Sequence, residues 1–288
     1  MTLPEFPTAN YHKPSFDAFW YWINERHLIY NKSKVLKSPK PWTKDEILQS
    51  YRFCNVYREL DKVTIWTRKH WREPYKDHPN LWFAMVVARL FNWIPTLEAI
   101  GFPMDEKWVA NIEGILGDLQ EKQNIYGAAY IITAGGQSGP KYQYSASCLR
   151  AIWRNPPPFA RKGAPACSIR TMWDQLKDLP SCGPFVAYEI ATDLRWSRYY
   201  DRSDHMLWAN AGPGAKRGIS RIWTGQIGTK PRDCNVYMRH LLNISARYLA
   251  PGMKPLEMRD IEHSLCEVDK YLRAKYKEGR PKAKYNGV

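Results

Sequence analysis

Several groups of residues have the types and spacing for chemistry on an anionic substrate. Asp260, His263 and Glu267 stand three and four positions apart, so a helix aligns them on one face. There they could bind a metal ion or help to orient a substrate. Carboxylates flanking a histidine are more often structural, so that reading is preferred and no metal site is assigned. Asn55 and Arg58 are expected on one helix turn facing a common pocket, the competing reading being a buried Arg58 paired to Glu59 or Asp61. The run Gly212-Pro213-Gly214-Ala215-Lys216-Arg217-Gly218 combines small residues, helix-start amides and two cations, a set suited to phosphate oxygens. A plain Gly-Pro-Gly turn with exposed basic residues is the alternative. Glu189 and Asp193, four apart, form a further carboxylate pair, with Glu189 a candidate base.

A fifth segment concerns docking. In Asp178-Leu179-Pro180-Ser181-Cys182-Gly183-Pro184, Leu-Pro closes one helix, Gly183 supplies a conformation other residues resist, and Pro184 suits the first turn of the next helix. The amides of Ser181, Cys182 and Gly183 then point outward at a helix N-terminus, where a DNA phosphate can accept them. An ordinary tight connection between two helices fits the same residues.

Periodicity and capping place these groups on helices, and alternating strands with hairpin turns are scarce. Helices are expected over 15–30, with Ser15 as cap; from a Thr43/Glu46 capping box through 51–66; and over 81–91, 105–122, 144–154, 168–177, 184–194, 232–249 and 256–276. The fold class is therefore all-α, with residues 1–276 as a single catalytic domain, in one or two helical lobes with the active site between them, and 277–288 as a basic disordered tail. Residues 31–41 are expected as a basic surface linker, 134–141 as a Gly-rich loop and 155–165 as a Pro-rich one.

The 288 residues carry 43 Lys plus Arg against 28 Asp plus Glu, a net charge of +15, which favours a polyanionic partner. No run approaches the ~18 apolar residues of a membrane span, and residues 1–10 lack a signal-peptide layout, so the expected location is the cytoplasm. Six scattered cysteines without C-x-x-C spacing are expected to be reduced, and no Cys/His cluster has zinc spacing. No G-x-x-x-x-G-K-[ST] loop occurs, since Pro140 stands where Gly135 to Lys141 would need its second glycine; ATP binding is not expected.

From Ser168 to Trp208 the chain resembles the helix-hairpin-helix DNA glycosylase superfamily, whose Leu-Pro-x-x-Gly hairpin and helix lead to an active-site Asp, here Asp204. Ser181 stands where a Gly is usual, and Phe185 where lyase members carry a Lys, which disfavours Schiff-base chemistry. Three longer words resemble the alpha-glutamyl/putrescinyl thymine pyrophosphorylase family of phage DNA hypermodification: Phe53 to Asp61 (FCNVYRELD), Ala211 to Gly218 (AGPGAKRG) and Asp260 to Glu267 (DIEHSLCE).

That resemblance implies an amino acid:DNA transferase. An amine, from an amino acid such as glycine or from a polyamine, replaces pyrophosphate on 5-pyrophosphoryloxymethyluracil in double-stranded DNA, after a separate 5-hydroxymethyluracil DNA kinase has acted. Asp204, with Glu189 as second candidate, is then the catalytic carboxylate, taking the ammonium proton or steadying charge on the methylene. Its structural alternative is an N-cap for residues 206–209. Asn55, Arg58, Trp208, Gly212, Gly214, Lys216 and Arg217 would hold the extruded base and the pyrophosphate. No cofactor is assigned, a divalent metal such as Mg2+ being compatible and ATP not expected. A DNA glycosylase and a non-catalytic DNA-binding module are the alternatives.

Overall fold

The computed structural model describes residues 7, 9–127, 139–229 and 231–279. The Gly-rich segment up to 138 and the tail from 280 lie outside the described residues. Among the described residues the regular structure is helical: twelve α-helices, short 3-10 and π turns, and a single isolated bridge between Cys167 and Tyr200. The all-α expectation is met. No described helix is long and apolar enough to cross a membrane.

The chain divides into two compact units, one formed by the chain up to Asp61 together with the chain from Met206, the other by Lys62–His205. The first unit opens with α1 (Lys13–Tyr30) and α2 (Glu46–Ser50). The second contains α3 (Lys62–Thr67), α4 (Leu81–Phe91), α5 (Ile94–Ile100), α6 (Glu106–Lys122), α7 (Lys141–Arg154), α8 (Ile169–Leu176) and α9 (Gly183–Leu194). The first unit is completed by α10 (Pro213–Thr224), α11 (Cys234–Ile244) and α12 (Met258–Lys275).

In the first unit, α12 packs against α1, α2, α10 and α11. Phe16, Phe19, Trp20 and Ile23 of α1 are buried, as their spacing requires. His12, not Ser15, is the N-cap residue of α1, and the buried Ser15 hydroxyl bonds the His12 ring instead. Residues Asn31–Val35 continue α1 as a π-helical turn, where a linker was expected.

The approach of α10 to α12 depends on two glycines four residues apart. A Cβ added at Gly214 would stand 2.4 Å from the Cys266 Sγ, and one at Gly218 would stand 2.5 Å from the Leu265 carbonyl oxygen. Any larger residue would push the helices apart.

The long helix expected through 51–66 does not form. Asp45 caps α2, accepting the N–H groups of Ile47 and Leu48 at 2.9 and 3.0 Å, and Thr43 supports it by accepting the Asp45 N–H. The helix ends at Ser50, and Tyr51 is extended. Beyond it, polar side chains take backbone partners that a helix would need. Asp61 accepts the Asn55 N–H, and the Asn55 amide donates to the Leu60 carbonyl at 2.9 Å. Asn55 therefore lies in a loop and Arg58 in a 3-10 turn, not on one turn of α-helix.

In the second unit every residue of α4 is buried, Arg89 included. Its guanidinium makes a two-pronged pair with Asp193 of α9, at 2.6 and 2.7 Å, and a third bond to Thr64. Arg72 stands 3.6 Å from the same carboxylate. This buried charge cluster ties α9, and so the hairpin at its start, to α4.

Candidate functional site

Each unit carries part of the expected site residues. In the first unit, α12 gathers residues from both other sequence words. The Cys54 N–H donates to the Glu267 carboxylate at 3.2 Å, across 213 positions of sequence. Arg259 reaches Glu59 at 3.3 Å. The Asp61 carboxylate is held from both sides: one oxygen accepts from the Asn55 backbone and side chain, at 3.2 and 3.0 Å, and the other pairs with Arg58 at 2.7 Å. The Asn55 side-chain oxygen accepts from Arg26 at 2.7 Å. Asn55 and Arg58 are thus brought together, but by bonding to Asp61. Burial, with the Glu267 and Asp61 charges second, pushes the Cys54 thiol well above its usual pKa.

The same arrangement brings the Cys54 sulfur, an Asp61 oxygen and a His263 ring nitrogen within 4.8 Å of one another. Of the trio expected on one face of α12, Asp260 serves at the helix start, accepting the Glu257 N–H at 3.0 Å in a capping box. His263 and Glu267 face the Cys54–Asp61 segment. Cys54, Asp61, Arg26 and Arg259 are residues that sequence spacing did not select; the only local signal was the Arg58–Asp61 pairing.

The Gly212–Gly218 run is a helix start, with Gly212 as N-cap residue. The Gly212 N–H donates to Glu262 at 3.1 Å, Gly214 is buried against Cys266, and Arg217 pairs with Asp269 at 2.7 Å. Asp269 also receives Arg221, which pairs in addition with Glu278. Lys216 is exposed and Trp208 half-buried.

In the second unit α8 and α9 form the expected helical hairpin. Ser181 has φ +62° and Gly183 φ +55°, so the position where glycine is usual does adopt the left-handed region, which costs an L-residue about 1–2 kcal/mol. The Cys182 N–H donates to the Leu179 carbonyl at 3.1 Å and its buried thiol is pushed up to about 12, so Cys182 is part of the turn's interior. Phe185 in the first turn of α9 is exposed, and Glu189 is buried.

Asp204 caps α8: its two oxygens accept the Ile169 and Arg170 N–H groups, each at 2.9 Å. Its partner helix is thus upstream rather than 206–209, where no helix forms. The Tyr200 hydroxyl steadies the turn by accepting the N–H groups of Asp204 and His205, at 3.1 and 2.8 Å.

A family model described as "5-hmdU DNA kinase, helical domain" matches residues 13–280. The chain is also similar to the 5-hmdU DNA kinase of Bacillus phage SP10, 27% identical over 285 residues, covering 88% of this chain and 44% of the relative. The chain thus spans less than half the length of that relative. No solved structure matches.

These matches overturn the assignment to the alpha-glutamyl/putrescinyl thymine pyrophosphorylase family, and with it the amino acid:DNA transferase, its amine donor and the glycosylase alternative, and they lend no support to a non-catalytic module. A kinase takes its phosphoryl group from a nucleoside triphosphate, so the expectation that ATP plays no part is overturned as well. The physical reason lies in the three words themselves. Their residues pack α10 and the Cys54–Asp61 segment onto α12, so they report a helical scaffold and not the group transferred on it.

Proposed function

Because the chain belongs to the family of 5-hmdU DNA kinase helical domains, we propose that it serves the phosphorylation of 5-hydroxymethyluracil in DNA. The observation that carries this is a family match that runs through both units. In the reaction the hydroxymethyl oxygen attacks the terminal phosphorus of a nucleoside triphosphate, the bond to the diphosphate breaks, and the hydroxyl proton leaves to a base. This helical chain takes the DNA side of that reaction. The phosphoryl group comes from a nucleoside triphosphate, as in other kinases.

Two features support the DNA role. The net charge of +15 attracts the phosphate backbone. The α8–α9 hairpin sets the start of α9 at the Gly183 N–H, and a helix N-terminus favours a phosphate oxygen. A side chain at Gly183 would meet nothing within 4 Å, and Asn and Asp tolerate its left-handed φ best.

Duplexes containing 5-hydroxymethyluracil or thymine test the proposal, with binding followed by fluorescence anisotropy. Gly183→Asp, which sets a carboxylate where the phosphate would lie, is expected to weaken binding roughly tenfold or more, while Gly183→Asn changes it little. With labelled ATP and the remaining kinase portion added, label is expected on the hydroxymethylated nucleoside alone. A chain that binds neither duplex, or label that appears equally on thymine DNA, refutes the proposal.

A further inference from the structure

We infer that Cys54, Asp61 and His263 form a binding site for a divalent transition metal, with Zn2+ the ion their chemistry suits best. Their donor atoms, a sulfur, a carboxylate oxygen and an imidazole nitrogen, lie within 4.8 Å of one another, and all three residues are half-buried. A tetrahedral zinc with bonds of about 2.0–2.3 Å draws such donors slightly closer, a change within reach of side-chain rotation. The mixed set selects the ion. Mg2+ and Ca2+ take oxygen ligands, whereas a thiolate beside an imidazole suits zinc and its neighbours.

The surroundings orient the donors as metal sites require. Asp61 is fixed by two bonds from Asn55 and by Arg58 at 2.7 Å, an outer shell that aims a ligating carboxylate. Cys54 is anchored through its own backbone, whose N–H is held by Glu267 at 3.2 Å. His263 sits on α12, the helix against which α1, α2, α10 and α11 pack. A rigid helix and a pinned loop thus supply ligands from two sides.

The charges balance too. A thiolate and a carboxylate offset the charge of a divalent ion, with Arg58 sharing the Asp61 carboxylate at 2.7 Å and Glu267, opposed by Lys270 at 3.9 Å, adding negative charge nearby. Three protein ligands leave a fourth position for water or a substrate oxygen, the pattern of an open metal site. The inference is independent of the nucleic acid the chain binds.

Cobalt is the probe that reads it out. The full chain, stripped of metal by chelation, is titrated with Co2+ and followed by absorption. One equivalent is expected to bind, giving a thiolate-to-cobalt charge-transfer band and the visible bands of tetrahedral cobalt, both removed by one equivalent of Zn2+. Cys54→Ser is expected to abolish the charge-transfer band, and His263→Gln and Asp61→Asn each to lower Co2+ affinity at least ~10-fold. Cys167→Ser, in the other unit, leaves the spectrum unchanged. Circular dichroism checks that each variant is folded, and the unmodified chain decides the matter if a variant is not. Absence of the band in the unmodified chain, or its persistence in folded Cys54→Ser, overturns the inference.

Discussion

Gly214 offers a stringent test of how the first unit is held together. Replacing Gly with Ala inside a helix favours the helix by about 1 kcal/mol. Here the new methyl would stand 2.4 Å from the Cys266 Sγ, far inside the ~3.5–4.0 Å of a relaxed contact. Overpacking of this kind costs about 1–3 kcal/mol, so Gly214→Ala should destabilise by up to about 2 kcal/mol. Removing the obstructing sulfur changes the outcome. In a Cys266→Ala background the nearest remaining atoms are the Cys266 Cβ and Cα, at 3.2 and 3.3 Å, which need yield only slightly. Gly214→Ala should then be neutral or mildly stabilising. The two substitutions should therefore couple favourably by about 1–3 kcal/mol, measured from urea unfolding of the four proteins in the cycle. Gly218→Ala provides the contrast: its methyl would meet the Leu265 carbonyl oxygen at 2.5 Å, a backbone atom that no side-chain truncation removes. Additivity within ~0.5 kcal/mol between Gly214→Ala and Cys266→Ala would refute the packing of α10 on α12 described above. A phosphate cradle at Gly214 would show no rescue by residue 266.

Other expectations are shorter to state. Asp193→Ala leaves the buried Arg89 guanidinium without its two-pronged partner and should cost about 3–5 kcal/mol in urea unfolding, while Arg89→Met with Asp193→Leu should recover part of it, since Arg72 still loses that carboxylate; equal stability of Asp193→Ala and the unmodified chain would contradict the buried pair. Asp204→Ala removes the acceptor of the Ile169 and Arg170 N–H groups at the start of α8, where Ser168 remains the N-cap residue, and should cost about 0.5–2 kcal/mol, with Asp204→Asn costing less because an acceptor oxygen remains. Burial raises the Cys182 thiol from 9.0 to about 12 and Cys167 from 9.0 to about 11. The folded state holds these protons longer than the unfolded chain, so their contribution is complete below pH 9.0 and is lost as pH rises towards those values. Urea midpoints should accordingly fall above pH 9.0, and less steeply in Cys182→Ala; identical alkaline slopes would argue against that burial.

Much of the helical frame was legible locally. The apolar run at 81–91, the spacing of Phe16, Phe19, Trp20 and Ile23, and the hairpin punctuation from Leu179 to Pro184 all correspond to the helices observed. These signals rest on forces between residues three or four apart, which spacing displays. The same rules failed between Tyr51 and Asp61, where helical spacing was present but Asn55 and Asp61 bonded the backbone themselves. They also left Gly214 open, since its smallness suits an anion as well as a close helix contact; the structure places it against Cys266.

By itself the sequence determined an all-α chain of strong positive charge with a hairpin capable of meeting a phosphate, because composition and short-range periodicity carry that information. It also contained the words that now lie together on α12, but not what they do there. Which residues share a site was decided by tertiary packing. Cys54 and Glu267, 213 positions apart, meet only because the chain returns after the second unit to complete the first. The convergence of Cys54, Asp61 and His263 follows from that return, and no local spacing announces a ligand set assembled from two distant segments.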